Sequence, residues 1–361
     1  MKKKILLVAA VLTSLTCFAQ FPGGGFGGFG GGMPQGMPQG GGMPQMGGGF
    51  GGFGGFGGGM PGLGGDQSSQ AQAEYSEKFT DIDYVGDDQV YHKLDIYLPK
   101  EVKDSYPVVV HIYGSAWGSN SSKGMADINT IGAALLKAGY AVVCPNHRSI
   151  SDAKWPAQVN DIKAVIRFIR GNAAKYKFDT SFIATSGFSS GGHLSAVTAL
   201  SNGVKVAKRG KAEYDIEGSL GAYTKESSAV NAFCDWSGPT ELLQMECGNA
   251  MVFGGPGNTP EEQLLGLKKA DAGTEDNFML LSATGFLDKN DVAGYMFHGD
   301  ADPIVASCVS QYLYDQMQAV GVESYILREP QGSHGMGMYS EENLKKMTDF
   351  LDAQRAKTAK K

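Results

Sequence analysis

The chain has 361 residues, a formal net charge of −6 and no basic cluster, and these features argue against nucleic acid as its partner. No segment after the amino-terminal residues reaches about 18 uninterrupted apolar residues, which argues against a transmembrane segment. The composition of residues 75–361 is that of an ordinary globular protein, and this length suits one α/β domain better than two.

The amino-terminal residues 1–19 contain the three parts of a secretory signal peptide in order. Three lysines come first, an apolar run over residues 5–12 follows, and small residues lead to an expected cleavage site after Ala19. Lipidation at Cys17 is the weaker alternative, because residues 14–16 match a lipoprotein processing site poorly. We therefore expect the protein to be secreted, to the periplasm, the cell surface or the exterior.

The next segment, residues 20–74, is rich in Gly, Met, Pro and Phe and has no charged residue between Phe21 and Gly65. Such a chain buries too little apolar surface to offset its backbone entropy, so a disordered linker is predicted. One interpretation is a flexible tether for the folded part. The other is an interaction segment, in which the regularly spaced Phe and Met residues contact the cell surface or other proteins.

Short apolar runs alternate with helical patterns over the rest of the chain. Runs 79–85 and 93–98 alternate apolar and polar residues, as edge strands do. The later runs are short, apolar throughout and bounded by turn residues, which is typical of buried parallel strands. These strands are predicted at 108–112, 141–144, 182–185, 294–297 and 324–327, and the helices at 128–138, 156–172, 190–200, 307–320 and 341–356.

This alternation predicts an α/β protein with a mostly parallel central sheet covered by helices on both faces. Ligands of such proteins bind at the carboxyl ends of the strands. Segment 246–276 is rich in Gly, Pro and charge and lacks apolar periodicity, so a small cap or lid over the strand ends is expected there.

The strongest local motif, residues 187–193, has the pattern Gly-x-Ser-x-Gly between a predicted strand and a predicted helix. So sharp a turn forces strained dihedral angles on the central Ser189, and Gly187 and Gly191 avoid backbone clashes around it. Ser189 is therefore the predicted nucleophile. The N–H of Ser190 would face an oxyanion formed there.

A serine nucleophile needs a base, and His334 is the best placed of the six histidines. It lies in the Gly-rich loop 331–337, late in the chain, between a predicted strand and the last helix. The alternative is that His334 is a surface-loop histidine with no catalytic role. His193 lies on the helix that follows Ser189 and is interpreted as structural.

In α/β proteins with this Gly-x-Ser-x-Gly turn, the carboxylate that orients the base comes between the nucleophile and the base in the chain. Segment 298–305 follows a predicted buried strand and offers Asp300 and Asp302. An aspartate in such a turn also has a structural use, through hydrogen bonds to the backbone. No metal or organic cofactor is required, because the chain has no His/Cys cluster with ligand spacing.

The second part of an oxyanion hole is expected in the loop after the first central strand, residues 113–118. The N–H groups of Ser115 and Ala116 would join that of Ser190. We expect Tyr113, Trp117 and Trp236 to line the substrate pocket. For the cysteines, a disulfide between Cys234 and Cys247 is one interpretation and buried free thiols are the other.

In this order, these segments resemble the bacterial esterase and lipase group of the α/β-hydrolases that includes feruloyl and acetyl-xylan esterases. The resemblance covers about residues 94–351. It rests on the segments Leu94-Asp95-Ile96-Tyr97-Leu98-Pro99, Tyr113-Gly114-Ser115-Ala116-Trp117, Asn146-His147-Arg148, Trp155-Pro156-Ala157-Gln158 with Asp161, residues 187–193, Asp235-Trp236-Ser237-Gly238-Pro239-Thr240, His298-Gly299 with Asp302, and Ser333-His334-Gly335.

The resemblance implies a triad of Ser189, Asp302 and His334, and it is the reason for choosing Asp302 over Asp300. Two positions depart from the group's pattern: Tyr113 replaces a histidine, and Ser115 replaces a glycine near the acyl site.

The resemblance also implies that Arg148 and Asp161 form a buried ion pair that holds a loop, with substrate contact as the alternative for this pair.

The expected function is therefore hydrolysis of carboxylic esters through an acyl-enzyme, with an acylated plant oligosaccharide or polysaccharide as the expected substrate. A serine peptidase of the prolyl-oligopeptidase type shares the fold and the triad and is one alternative. A non-catalytic surface or binding protein is the other.

Overall fold

The computed structural model describes residues 72–248, 250–251 and 254–360. The predicted signal peptide and the predicted linker up to residue 71 lie outside the described residues. None of the helices in the described part is long and apolar enough to cross a membrane.

Ten strands are described, eight of them in one sheet. The sheet order is β1-β2-β4-β3-β5-β8-β9-β10, and β6 and β7 form a separate hairpin. Strand β2 is antiparallel to both of its neighbours, β1 and β4, and all other pairs in the large sheet are parallel. The strands are β1 Tyr75–Asp83, β2 Lys93–Pro99, β3 Tyr106–Ile112, β4 Ala141–Pro145, β5 Phe178–Phe188, β6 Val206–Arg209, β7 Ala212–Asp215, β8 Ala232–Trp236, β9 Ala293–Gly299 and β10 Ser324–Glu329.

The helices follow the strands in the order expected for this fold class. Helix α1 is preceded by a π-helical turn, Ile128–Gly132, so the predicted helix 128–138 is α-helical only in its second half. The α-helices are α1 Ala133–Lys137, α2 Ala157–Gly171, α3 Ser190–Leu200, α4 Pro260–Leu265, α5 Glu275–Met279, α6 Cys308–Val320 and α7 Glu341–Thr358.

The predicted strands and helices of the core are confirmed, and four features were not predicted: β8, the β6–β7 hairpin, α4 and α5. Strand β8 was missed because Asp235 interrupts its apolar run, although the residue is fully buried. The hairpin strands are only four residues long, which is too short for a clear period.

The sheet has an apolar core on each face. Alternate residues of β3 enter different cores: Val108 and Val110 pack on one side and Val109 on the other. This two-sided burial explains why the parallel strands are apolar throughout. Strands β3, β5, β8, β9 and β10 are parallel, so their carboxyl ends and the loops that follow them lie at one edge.

Candidate active site

The turn between β5 and α3 holds Ser189 in a strained conformation. The residue has φ +55° and ψ −125°, outside the regions that a serine ordinarily occupies. A Cβ on Gly187 would lie 2.2 Å from the Gly191 carbonyl oxygen, and one on Gly191 would lie 2.1 Å from the Ile112 oxygen. Only glycine fits at both positions, which is the steric reason predicted from the motif.

The structure brings Ser189, His334 and Asp302 together. Ser189 Oγ lies 3.0 Å from His334 Nε2, and His334 Nδ1 lies 2.7 Å from Asp302 Oδ2. With the imidazole proton on Nδ1, His334 donates to the carboxylate and its Nε2 accepts from the Ser189 hydroxyl. The His334 side chain is 12% exposed and that of Asp302 is fully buried, so only the imidazole reaches solvent.

The two carboxylate oxygens of Asp302 have different polar neighbours. Oδ1 accepts from the N–H groups of Ile304 at 2.8 Å and Val305 at 2.9 Å, and Oδ2 faces His334 and, at 3.4 Å, His298 Nε2. Burial by itself favours the neutral carboxyl. The nearby His298 and His334 side chains and the Val305 N–H outweigh burial and hold the pKa of Asp302 well below its ordinary value.

Asp300 is directed away from this site. It pairs with the Arg328 guanidinium and accepts a hydrogen bond from Ser307 at 3.2 Å, both near the surface. The carboxylate beside His334 is therefore that of Asp302.

A second buried layer lies behind Asp302 and was not predicted. His298 Nε2 donates to the Val305 carbonyl oxygen at 2.8 Å, which leaves Nδ1 to accept from the Ser310 hydroxyl at 2.7 Å. Burial raises the pKa of Asp235 to about 7, although the Gly238 N–H, which donates to Oδ1 at 2.9 Å, favours its ionised form. Both residues lie in segments that carried the family resemblance, which is the signal that could have identified them.

The predicted oxyanion loop lies beside the turn. Ala116 and Trp117 have φ +50° and +55°, two consecutive left-handed residues, and Ala116 is exposed. Among the described residues, the N–H groups of Ala116 and Ser190 donate no hydrogen bond. The N–H of Ser115 was predicted to contact the oxyanion, but in the structure it donates to the Ser190 hydroxyl at 2.9 Å.

The three predicted pocket residues lie in the interior instead of lining an open pocket. Tyr113, Trp117 and Trp236 are 0%, 2% and 1% exposed. Trp236 stacks on Phe297, with ring centroids 4.0 Å apart, and Trp117 packs edge-on against His193. The prediction is corrected: large rings behind this edge of the sheet are covered by the loops and serve as core.

Tyr113, at a position where the resembled group has a histidine, supports the predicted oxyanion loop. Its ring stacks on His147 with centroids 4.8 Å apart, and its hydroxyl donates to the Ser119 carbonyl oxygen at 2.8 Å. The N–H of Ile150 donates to the Trp117 oxygen at 2.9 Å and ties the same loop to the chain after β4.

The ion pair expected after β4 is present. Arg148 Nη2 lies 2.6 Å from Asp161 Oδ1, and the Arg148 N–H donates to the other oxygen at 2.7 Å. Asp161 is fully buried and also faces His92, so the pair fixes the loop on α2. His193 is buried, donates to the Leu281 oxygen at 2.8 Å and has its pKa lowered by burial to about 4, as expected for a structural histidine.

The disulfide differs from the pairing of Cys234 with Cys247, which was one of the two interpretations. Cys247 is bonded to Cys308, 61 residues further along, and Cys234 is a buried free thiol in the strand β8. Spacing could not identify the partner, because Cys308 comes close to Cys247 only in the folded chain, where the loop after β8 meets the start of α6.

The segment expected to form a lid, 246–276, contacts loops on both sides of the site. Besides the disulfide, the N–H of Met251 donates to the Pro303 oxygen at 2.7 Å, next to Asp302. At the other end, the N–H of Trp155 donates to the Leu264 oxygen at 3.0 Å. The segment thus connects the loop after β9 with the loop before α2.

Phe188 was not predicted as a site residue. Its ring packs on the imidazole of His334 with centroids 4.8 Å apart, and it also fills the space beside Gly114 and Gly335. It follows that the residue before the nucleophile supports the loop that carries the histidine.

Comparison with known proteins agrees with this geometry. The BD-FAE family model matches residues 94–317, more than half of the chain. Among solved structures, a chain described as a truncated form of a carbohydrate esterase from gut microbiota is 44% identical with a TM-score of 0.75. The match covers 79% of this chain and 99% of that one.

Two further relatives extend the comparison. A bifunctional GH43-CE protein of Bacteroides eggerthii is 46% identical with a TM-score of 0.72, and the match covers 77% of this chain and 38% of that one. Esterase LipQ of Mycobacterium tuberculosis is 23% identical over 228 residues, 63% of this chain and 49% of LipQ. This chain thus spans about half of the length of that curated relative.

Proposed function

This chain belongs to the BD-FAE family of α/β-hydrolase esterases, and from that premise we propose that it is a secreted serine esterase acting on acyl esters of plant polysaccharides through Ser189, His334 and Asp302. The observation that carries the proposal is the continuous contact from the Ser189 hydroxyl through His334 to the buried Asp302 carboxylate.

Acylation begins at Ser189. His334 Nε2 takes the hydroxyl proton as Oγ bonds to the ester carbonyl carbon, and the carbonyl oxygen becomes an oxyanion. The imidazolium is stabilised by Asp302, whose low pKa keeps it ionised. Collapse of the intermediate breaks the bond to the alcohol, which leaves with the proton held on Nε2.

Deacylation repeats these steps with water. His334 takes a proton from water as its oxygen attacks the acyl-enzyme, and the acid leaves as the proton returns to Ser189 Oγ. We expect the N–H groups of Ala116 and Ser190, which have no acceptor among the described residues, to face the oxyanion in both halves of the cycle.

The proposed substrate rests on the relatives and on two exposed residues beside the site. The similar solved chain is described as a carbohydrate esterase. Ala116 on the oxyanion loop and Met336 beside His334 are both exposed, and an open site suits an ester carried on a long polymer. We propose acetyl or feruloyl groups as the acid released.

Export is the remaining part of the proposal, and it rests on the signal sequence predicted in residues 1–19. Amino-terminal sequencing of the protein recovered from the medium or the periplasm is expected to show Gln20 as the first residue. A chain retained in the cytoplasm with Met1 intact would contradict it.

Hydrolysis of p-nitrophenyl acetate, acetylated xylan and methyl ferulate by the full chain tests the activity. Ser189→Ala is expected to lower kcat at least about 1,000-fold, because the nucleophile is lost while the fold is kept. A fluorophosphonate probe is expected to label the wild type and not this variant. Residual activity near the wild-type value would reject Ser189 as the nucleophile.

The same assays separate the substrate classes. Faster release of acetate from xylan than of ferulate from its methyl ester would assign an acetyl esterase, and the reverse a feruloyl esterase. Activity on prolyl peptide anilides without activity on any of the esters would contradict the proposal as a whole.

A further inference from the structure

The side chain of Ser190 links the two segments that supply the proposed oxyanion hole. Ser190 is the first residue of α3, is 1% exposed and directly follows the nucleophile. Its Oγ accepts from the N–H of Ser115 at 2.9 Å, across 75 residues of chain. The hydroxyl therefore lies against a backbone N–H that was expected to contact the oxyanion itself.

Within the described part of the chain, the proton of this hydroxyl has no acceptor. A serine hydroxyl donates one hydrogen bond and accepts up to two, and the Ser115 N–H occupies one of its lone pairs. Among the described residues, no oxygen or nitrogen accepts from Ser190 Oγ. A buried donor left unpaired costs about 1–3 kcal/mol, so an acceptor is expected at this position during the reaction cycle.

The charge that develops on the substrate supplies such an acceptor. The backbone N–H of the same residue faces the oxyanion in this fold, and the amino end of α3 favours negative charge there. The opposite wall is the loop whose Ser115 N–H already touches the hydroxyl. Ser190 Oγ thus lies between the two sources of oxyanion donors.

We propose that Ser190 is a further catalytic residue, whose side-chain O–H donates to the oxyanion while the N–H of Ser115 holds and polarises that hydroxyl. The inference rests on the proposed function. No bond of Ser190 is made or broken, and its proton stays on Oγ through both halves of the cycle. Because the oxyanion exists only in the intermediate, the hydrogen bond contributes to kcat rather than to substrate binding.

Replacing the Ser190 side chain distinguishes a hydroxyl that donates to the oxyanion from one that only accepts from the Ser115 N–H. If the hydroxyl only occupied the Ser115 N–H, Ser190→Ala would release that donor to the oxyanion and raise kcat or leave it unchanged. If the hydroxyl donates, Ser190→Ala lowers kcat by about 100-fold, the usual effect of losing one oxyanion donor, while KM stays within about threefold.

The assay uses the full chain with p-nitrophenyl acetate, and Ser190→Cys provides a second variant of nearly the same shape. A thiol is a weaker donor, so its kcat is expected to lie between those of the wild type and Ser190→Ala. A boronic acid, which forms a tetrahedral anion on Ser189, is expected to bind the alanine variant about 100-fold more weakly.

The outcomes keep the two proposals apart. A wild type whose activity does not depend on Ser189 defeats the proposed function. If Ser189→Ala loses activity while kcat is unchanged or raised in both Ser190 variants, this inference alone is overturned. Fluorophosphonate labelling and the melting temperature of each variant identify one that has failed to fold. In that case the boronic acid affinity of the cysteine variant decides the question, because equal affinity to the wild type overturns the inference.

Discussion

Ser189 lies between two differently built regions: the acid side, formed by His334 and Asp302, and the oxyanion side, formed by Ser190 and the loop 113–118. On the acid side, both oxygens of Asp302 accept hydrogen bonds and the side chain is fully buried. On the oxyanion side, the loop is exposed at Ala116, and the N–H groups of Ala116 and Ser190 have no partner among the described residues.

The difference matches the lifetime of the two charges. The Asp302 carboxylate is charged at every step of the proposed cycle, so fixed dipoles of the protein replace water around it permanently. The oxyanion exists only in the tetrahedral intermediates, and its donors stay free until it forms.

The largest expected effect comes from the acid side. Asp302→Asn is expected to lower kcat about 1,000- to 10,000-fold, because Oδ1 keeps its two backbone N–H donors and the new amide nitrogen then faces Nδ1 of His334. This arrangement imposes the wrong tautomer on the imidazole. Steady-state kinetics with p-nitrophenyl acetate measure the loss.

Asp300→Asn is the matched control for this variant. It removes a carboxylate two residues away whose partners, Arg328 and Ser307, lie near the surface. Its kcat is expected to stay within about threefold of the wild type, since exposed ion pairs contribute little. Equal losses in both variants would remove the distinction between the two aspartates.

The second prediction concerns the pH dependence of stability and the layer beneath Asp302. The pKa of Asp235 is raised by burial from 3.8 to about 7. Between these values the unfolded chain is ionised at this position while the folded chain keeps its proton, so stability falls as pH rises through this window. Below pH 4 and above pH 7 this contribution is constant.

Asp235→Asn removes this contribution and keeps the Oδ1 that accepts from the Gly238 N–H. Relative to the wild type, the variant is expected to gain up to about 4 kcal/mol between pH 4 and pH 7.5, at about 1.4 kcal/mol per pKa unit. Urea unfolding at the two pH values measures the gain. A stability difference independent of pH would show that Asp235 is ionised throughout.

The third prediction tests whether His298 supports the acid, since its Nε2–H donates to the Val305 oxygen at 2.8 Å and Nε2 lies 3.4 Å from Asp302 Oδ2. His298→Leu is expected to lower kcat about 10- to 100-fold, because the buried Val305 oxygen loses its donor and the Asp302 carboxylate loses a polar neighbour. His298→Gln offers an amide N–H in the same region and is expected to lose less. Equal losses in the two variants would mean that the volume of the side chain, and not its hydrogen bond, is responsible. A pH–rate profile shows whether the pKa of His334 has changed.

The smallest effect is expected on the oxyanion side, where the side chain of Tyr113 supports the loop 113–118. Tyr113→Phe removes the hydrogen bond to the Ser119 oxygen and is expected to lower kcat/KM about 3- to 10-fold. Tyr140→Phe is the matched control, because it removes a hydrogen bond of similar length, 2.7 Å to Asp352, far from this loop in the fold. A larger loss in the control would locate the effect in general stability.

Several features of the site follow from local sequence rules. The clash that requires glycine at position 187 lies within the turn itself, since a Cβ there would meet the Gly191 carbonyl oxygen. The order of Ser189 and His334 and the two-sided burial of the central strands also follow from motif and periodicity. Strand β8 could not be recognised in this way, because an aspartate in a buried run has the same sequence signature as a turn.

Residue type and spacing predicted the turn at Ser189, the loop that presents His334 and the alternation of strands and helices, because steric rules and apolar periodicity act over a few residues. Only the tertiary structure decided that Asp302 and not Asp300 faces the imidazole, that Cys247 pairs with Cys308, that Trp117 and Trp236 are core, and that Ser190 holds the N–H of Ser115. Each of these depends on which segments meet when the sheet forms, and a contact between parts of the chain 32 to 75 residues apart leaves no periodic trace in the sequence.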